Sequence, residues 1–266
     1  MDNSSQARTL VGGMDATSGW ASIRQLRAWE HERLRVRNGE ALLDVGCGPG
    51  DAGIALVAAA GAETRLLGLD ASEVMLSVAR ERAAAANVTA EFLQGDAQRL
   101  PYASESVDAV RCERTLQWLP DPNAALSELV RVLRPGSRLV VVDTDWDSLT
   151  VDMPDLSDFE AVRTAMRAAR GPGFAIGRHL LNRCRDAGLL EVACTAATQV
   201  LTSYDHDRPL ESSGMLPLHQ VAEAAVSAGL LDSEAAERAL GQFDAAGRAD
   251  RMMLSLTIYA VYGRKP

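Results

Sequence analysis

The sequence predicts an α/β fold with a mostly parallel seven-stranded sheet and helices on both of its faces. Apolar runs of strand length alternate with segments of helical periodicity through residue 144, as expected for a parallel sheet that is covered on both sides. A glycine-rich turn follows the first apolar run and an acid ends the second. This arrangement is typical of a nucleotide-binding unit within such a sheet.

The elements follow from periodicity and from turn residues. Strands are predicted at 41–45, 65–69, 89–93, 107–111 and 137–144, and two later β-branched and aromatic runs predict strands at 191–203 and 252–262. Helices are predicted at 51–61, 72–86 and 121–134, where Ala, Leu, Arg and Glu recur at helical spacing. Two more are predicted at 216–229 and 233–247, where Ser233 offers an N-cap and glycines follow. Residues 145–178 are predicted to be irregular.

The chain divides into a core and two additions. Residues 1–38 are assigned to an N-terminal segment that covers the ligand site, and its first 13 residues are predicted to be mobile because they are polar and contain glycine. The core comprises 39–203 and 252–266, and 204–251 form an inserted helical cap. Ligands of open α/β sheets bind beyond the carboxyl ends of the strands, so a cap there would shape the pocket. Helices that only stabilise the fold are the alternative.

Composition excludes several classes of function. The 266 residues, 47% of them hydrophobic, are enough for a substantial core. A net charge of −9 argues against a nucleic-acid-binding protein. The four cysteines form no Cys-x-x-Cys pair, so neither a metal site nor a disulfide framework is predicted. No basic apolar leader and no membrane-spanning apolar stretch stands out, which predicts a cytoplasmic protein.

The glycine-rich turn reads Asp-Val-Gly-Cys-Gly-Pro-Gly at 44–50. Dinucleotide-binding turns have a third glycine where this chain has Asp51, and a carboxylate there would cap the helix and repel a diphosphate. Asp44 could accept hydrogen bonds from an ammonium group, and Asp70 lies twenty residues beyond Gly50, where a ribose-binding acid is expected. An adenosine with an amino-acid end and no phosphate, S-adenosylmethionine, fits both acids. Glycine turns of an unrelated α/β domain are the alternative.

Five segments between 39 and 143 resemble, in order, the class I methyltransferases that use S-adenosylmethionine. They are 44–50 and 69–75, which resemble the first two motifs, 94–101, which resembles the adenine-binding segment, 106–110, which resembles the fourth strand, and 128–137, which resembles the helix and turn before the fifth. The likeness is closest to the small-molecule branch that includes ubiquinone and menaquinone methyltransferases. It implies a Rossmann-like core closed by an antiparallel pair of strands, with S-adenosyl-L-methionine as cofactor.

The resemblance also implies which residues bind the cofactor. They are Asp44, Gly46, Cys47, Gly48, Gly50, Asp70, Ala71, Met75, Gly95, Asp96, Ala97, Cys112 and Glu113. Arg24 or Arg27 could meet its carboxylate or lie on a helix surface. Residues 14–20 depart from the aromatic Tyr-Asp segment of the quinone-modifying relatives, which argues against a quinone acceptor.

Methyl transfer chiefly needs alignment of the acceptor with the methyl carbon in a dry site. An oxygen or nitrogen acceptor can lose its proton to a base, for which His179 and His219 are the main candidates, with His206 third. Each could equally be a surface histidine. Asp145 could orient a substrate hydroxyl, and Glu113 could be a base or an ion-paired structural acid.

We therefore predict a methyltransferase that acts on a small organic acceptor in secondary metabolism, with O-methylation favoured and N- and C-methylation as the alternatives. The alternatives are a relative that binds the cofactor but catalyses another reaction, such as cyclisation, and a non-catalytic binding module. Trp118 could stack on a ligand or belong to the core. Apolar stripes on the inserted helices would suit a lid or a homodimer, which leaves the oligomeric state open.

Overall fold

The computed structural model describes residues 4–152, 156–203 and 216–266. In these parts of the chain seven strands form one sheet, in the order β3-β2-β1-β4-β5-β7-β6. The strands are β1 (Ala41–Val45), β2 (Arg65–Asp70), β3 (Ala90–Gln94), β4 (Val107–Glu113), β5 (Leu133–Asp152), β6 (Leu190–Leu201) and β7 (Met253–Arg264). The first five are parallel, and β7 runs antiparallel to both of its neighbours. The predicted fold class is confirmed.

Helices lie between the strands and at the N-terminal end. They are α1 (Ser4–Ser18), α2 (Ala21–Leu34), α3 (Asp51–Ala60), α4 (Glu73–Ala85), α5 (Pro122–Val132), α6 (Ser157–Arg170), α7 (Ile176–Asp186), α8 (Leu216–Ser227) and α9 (Ser233–Arg248). None of these helices has the length and apolarity that crossing a membrane requires.

The sheet core follows from alternation along the strands. Leu42 and Leu43 are both fully buried on opposite faces of β1, and Val140 and Val141 repeat the pattern on β5. Helices α5 and α7 cover one face, and α2, α3 and α4 cover the other. Because both faces are covered, these strands are continuously apolar, which is why the sequence identified them.

Two segments differ from the sequence-based prediction. Residues 4–13 belong to helix α1 instead of a mobile tail, and Arg82 of α4 binds Asp15 at the other end of that helix. Residues 145–178 are not irregular, because β5 continues to Asp152 and α6 and α7 follow. Acids at 143, 145 and 147 interrupt the apolar run, but the last two are ion-paired with arginines of α6 and α7, so the strand continues through them.

Strand β5 extends beyond its parallel neighbours, and helices pack against this extension. A register shift between Asp145 and Thr150 bends β5, after which it pairs again with the start of β7. These strand ends share a separate hydrophobic cluster with α6, α8 and α9, which includes Phe159 and Phe243 in edge-to-face contact. Since β5 projects past the carboxyl ends of its parallel neighbours, this helical layer lies at the edge where ligands bind. The assignment of residues 204–251 to a cap that is separate from the core stays a prediction.

Candidate functional site

The glycine turn between β1 and α3 has the backbone geometry that its sequence predicts. Gly46, Gly48 and Gly50 have φ values of 70°, 52° and 84°, a region that side chains other than glycine disfavour. The amide groups of Gly46 and Cys47 both donate to the carbonyl of Leu69, at 2.7 and 3.1 Å. The turn is thereby fixed against the end of β2.

Space, as well as conformation, requires glycine at the start of this turn. A Cβ atom on Gly46 would lie 2.0 Å from Oγ1 of Thr115, a residue just after β4. A Cβ on Gly48 would lie 2.6 Å from the terminal methyl carbon of Met14, so helix α1 passes over the turn. The backbone groups of the turn therefore lie between the β4 loop and the N-terminal helix.

Asp70 joins the glycine turn to the next loop. Its carboxylate accepts hydrogen bonds from the backbone amides of Gly48 at 2.8 Å and Ser72 at 2.9 Å. The side chain is half-buried, so carboxylate lone pairs remain available for a pair of hydroxyl groups. Nearby, Ala71 accepts a hydrogen bond from Gln94 at 2.8 Å, and Met75 is buried at the start of α4.

The residues predicted to hold an adenine lie at the same edge of the sheet. The amide of Gly95 donates to the carbonyl of Asp70 at 3.0 Å. Asp96 is exposed and accepts a hydrogen bond from the backbone of Gln98 at 2.8 Å, whereas Ala97 is buried. The structure thus brings together the ends of β1, β2 and β3, as the sequence predicted.

Asp44 lies beneath the turn and faces a cation from within the protein. Its side chain is fully buried, and both carboxylate oxygens accept hydrogen bonds from Arg111 at 2.8 Å. Arg111 also binds Glu30 of α2 at 2.8 Å and Glu113 at 2.6 Å. The expected contact of the Asp44 carboxylate with a ligand ammonium group is therefore replaced by an internal ion pair.

Burial and attraction oppose each other in this ionic network. Burial raises the pKa of Asp44 and of Glu30 above the usual values, although the charge of Arg111 opposes the shift. Burial lowers the pKa of Arg111, but attraction from Asp44, Glu30 and Glu113 outweighs it and raises that pKa well above its usual value. Glu30 was missed by the sequence analysis. An acid on the buried face of an amphipathic helix was the available signal, because such an acid needs a partner.

Glu113 is ion-paired and does not suit the role of a base. Arg27, Arg111 and Arg114 all bind its carboxylate, at 2.9, 2.6 and 3.2 Å. Burial would raise the pKa of Glu113, but the three guanidinium charges hold it far below its usual value. Arg114 also binds Thr17 of α1 at 2.8 Å, so Glu113 organises the cations that attach the N-terminal helices.

The cysteines predicted to border the cofactor are both buried. Cys47 lies in the glycine turn and Cys112 lies on β4 within the core. Burial raises the pKa of each thiol, so neither is a reactive thiolate. Any ligand contact from these positions would come through the backbone or an uncharged sulfur atom.

Asp51 differs from its expected role at the start of α3. Its side chain binds Arg82 of α4 at 2.5 Å. Arg82 also binds Asp15 at 2.9 Å, which ties α1 to this end of the site. Part of the negative charge that was expected to repel a diphosphate is therefore compensated.

The predicted catalytic side chains lie on different elements. Asp145 is buried and binds Arg178 at 2.5 Å. His179 is exposed on α7, and His219 lies on α8 in the helical layer. His206 lies outside the described residues.

A second polar cluster occupies the junction between the core and the helical layer. Asp143, at the carboxyl edge of β5, accepts hydrogen bonds from the backbone of Gln117 at 3.2 Å and Thr144 at 2.9 Å. Burial raises the pKa of Asp143 to about 7, although these amide donors oppose the shift. Sequence reasoning missed Asp143. The available signal was its position in the sequence, directly after the apolar run of β5.

Trp118 belongs to the same junction. Its side chain is 62% exposed, so the interpretation as a core residue is wrong. The indole lies over Arg170, the last residue of α6, with the guanidinium carbon 4.1 Å from the ring centre. Trp146 of β5 lies 4.4 Å from the same guanidinium carbon. Arg170 therefore lies between two indole rings.

Comparisons with known proteins agree with this geometry. A family model described as a methyltransferase domain matches residues 43–141. An uncharacterized 37.1 kDa protein in transposon TN4556 of Streptomyces fradiae is 35% identical over 252 residues, which cover 94% of this chain and 70% of that protein. Demethylmenaquinone methyltransferase of Shouchella clausii is 36% identical over 141 residues, which cover 52% of this chain and 60% of the enzyme. Less than two thirds of that enzyme is therefore matched.

Solved structures show the same fold. A putative methyltransferase from Bacillus halodurans C-125 superposes with a TM-score of 0.60 at 20% sequence identity. The match covers 90% of this chain and 98% of that one. At this identity the likeness supports the architecture of the sheet and its helices.

Proposed function

Since the chain belongs to the class I S-adenosylmethionine-dependent methyltransferases, we propose that it transfers a methyl group from that cofactor to an oxygen atom of a small organic acceptor. The observation that carries this proposal is the contact between Asp70 and the amide of Gly48, which joins the glycine turn to the end of β2. The arrangement offers a half-buried carboxylate beside a backbone that a ligand can approach closely.

The residues at this edge fit the parts of the cofactor. Asp70 would accept hydrogen bonds from the ribose hydroxyls, while Asp96 and the backbone of Ala97 would meet the adenine. The glycine turn would pass beside the amino-acid end, where Arg27 and Arg114 supply positive charge for its carboxylate. Asp44 would act as a positioning residue, because it fixes Arg111 and through it Glu113.

The bound cofactor supplies an electrophilic methyl group. The protein's task is to hold the acceptor atom in line with that group and to keep water away. The helical layer on β5 and β7 would cover the acceptor, and α1 would cover the glycine turn through Met14. His179 and His219 stay predicted bases, and the compartment and oligomeric state stay predictions as well.

Calorimetric titration with S-adenosylmethionine, S-adenosylhomocysteine and NAD tests the cofactor. We expect the first two to bind and NAD not to bind. Asp70→Ala should weaken binding of both by about 1.5–3 kcal/mol, because charge-assisted hydrogen bonds are lost. Glu81→Ala, an exposed acid on α4, is the matched control and should leave binding unchanged. Binding of NAD alone would contradict the proposal.

Mass spectrometry of candidate acceptors tests the transfer. A methylated product gains the mass of one methylene group, and S-adenosylhomocysteine is released with it. Turnover of an acceptor without this gain, in protein that binds the cofactor, would contradict methyl transfer and favour the cyclisation alternative.

A further inference from the structure

Arg170 differs from the other arginines of α6. Arg163 binds Glu160 and Arg167 binds Asp147, as expected for guanidinium groups near the surface. Arg170 has no carboxylate within ion-pair distance among the described residues. Its Nη1 atom donates to the side-chain oxygen of Gln117 at 3.3 Å, and its Nη2 atom is buried without a hydrogen-bond partner in that part of the chain.

Such an arrangement is costly in a folded protein. A buried donor without a partner loses its hydration and receives nothing in exchange, and the penalty is larger for a charged group. Burial lowers the pKa of Arg170 to about 10, although the charge of Asp143 opposes the shift. The guanidinium nevertheless stays protonated at neutral pH, so a positive charge with an unused donor is held at the edge where the acceptor must bind.

The surroundings keep this charge in place. Gln117 is itself buried, and its side-chain oxygen also accepts a hydrogen bond from the indole nitrogen of Trp146. Gly173, in the turn after α6, packs directly on the backbone of Gln117, since a Cβ there would lie 2.2 Å from its carbonyl oxygen. Trp146 is therefore fixed on one face of Arg170.

The other face is covered differently. Trp118 is 62% exposed, and it follows Thr115, the residue that contacts Gly46, by three positions. An exposed indole that covers a buried cation shields it from water without supplying a hydrogen bond. Movement of this one side chain would uncover the guanidinium on the side that Trp118 covers.

We propose that Arg170 is an acceptor-binding residue, that it binds an anionic oxygen on a planar ring, and that Trp118 is its movable cover. The occupant is an aromatic carboxylate or phenolate, whose oxygen would take the unused Nη2 donor while its ring stacks on an indole. This inference rests on the proposed function, because it names the acceptor class of the same site.

Binding of matched pairs of small aromatic compounds tests the inference. Benzoate is compared with benzamide, and 4-nitrophenolate with 4-nitroanisole, in the presence of S-adenosylhomocysteine. We expect at least one anion to bind about ten-fold or more tightly than its neutral partner, as a charge-assisted hydrogen bond predicts. The pair that shows the preference identifies the oxygen as carboxylate or phenolate.

Three variants identify the residues responsible. Arg170→Gln should abolish the preference for the anion, and Arg163→Gln, on the same helix, should preserve it. Trp118→Ala should keep the preference and strengthen anion binding, because the cover is removed. Circular dichroism and the affinity for S-adenosylhomocysteine serve as folding controls.

Two results would overturn the inference. One is an unchanged preference in folded Arg170→Gln protein. The other is the absence of anion preference in both the wild type and Trp118→Ala while S-adenosylhomocysteine binds normally. If the wild type does not bind S-adenosylhomocysteine, the proposed function is contradicted. The anion titrations can then be carried out without S-adenosylhomocysteine and still test the role of Arg170.

Discussion

Two regions meet at the carboxyl ends of the strands, and each contains an arginine, one fully buried and one half-buried, whose charge has different surroundings. Beneath the glycine turn, Arg111 is surrounded by three carboxylates. At the junction with the helical layer, Arg170 lies between two indoles and keeps a donor unused. The first arrangement is complete within the protein and positions other residues. The second is complete only with a ligand, which is why we assign binding of the acceptor to it.

Removal of Arg111 gives the largest expected effect. Arg111→Met leaves three buried acids without their shared partner and should lower the free energy of unfolding by about 3–5 kcal/mol. Arg80→Met, which removes an exposed pair with Glu73, should cost less than about 1 kcal/mol. Urea denaturation measures both. Equal costs would show that the buried network contributes no more to stability than an exposed ion pair.

A methyl group at Gly46 should have the next largest effect. Gly46→Ala combines a positive φ with a clash against Thr115, and we expect a loss of about 2–4 kcal/mol in stability together with weaker cofactor binding. Gly39→Ala has a similar φ of 86° but open space around it, so it should cost about 1–2 kcal/mol and leave cofactor binding intact. Similar cofactor affinity in both variants would contradict the placement of the turn.

Asp143 provides a pH-dependent test of the junction. Its pKa of about 7 in the folded state lies above the usual value, so its contribution to stability is present at low pH and is lost as the pH rises through 7. Asp143→Asn removes this titration. We therefore expect the variant to gain stability relative to the wild type between about pH 5 and about pH 8.5, measured as urea midpoints. A constant difference would contradict the raised pKa.

Arg167 should show the smallest effect. It is about half exposed, binds Asp147 and stacks on Phe174. Arg167→Gln should change the free energy of unfolding by less than about 1 kcal/mol, and it should preserve the preference for anionic ligands that Arg170 is expected to confer. Loss of that preference in Arg167→Gln protein would contradict the assignment of anion binding to Arg170.

The contrast also explains what could be predicted from the sequence. The strands and the glycine turn were predicted because their signals are local. The three glycines of the turn, for example, are the residues that have positive φ values in the structure. The partner of Asp44 was not predicted, because Arg111 lies 67 residues away in the sequence, and Glu30, which also binds Arg111, is similarly distant from that arginine. The same holds for Arg170, whose neighbours come from β5 and from the loop after β4. Long-range side-chain contacts leave no fixed spacing in the sequence.

The continuity of β5 into the helical layer has a consequence for redesign. The layer departs from the sheet at three neighbouring strand ends, where Asp152 pairs with Met253 and Leu201 pairs with Leu254. Grafting a different set of helices therefore requires matching the last pair in each of two adjacent ladders, β5–β7 and β6–β7. The register of the strands that form the cofactor edge is set elsewhere, from Ala41 to Glu113. Under the proposed function, the helices that would cover the acceptor could be exchanged as a unit while these registers stay unchanged.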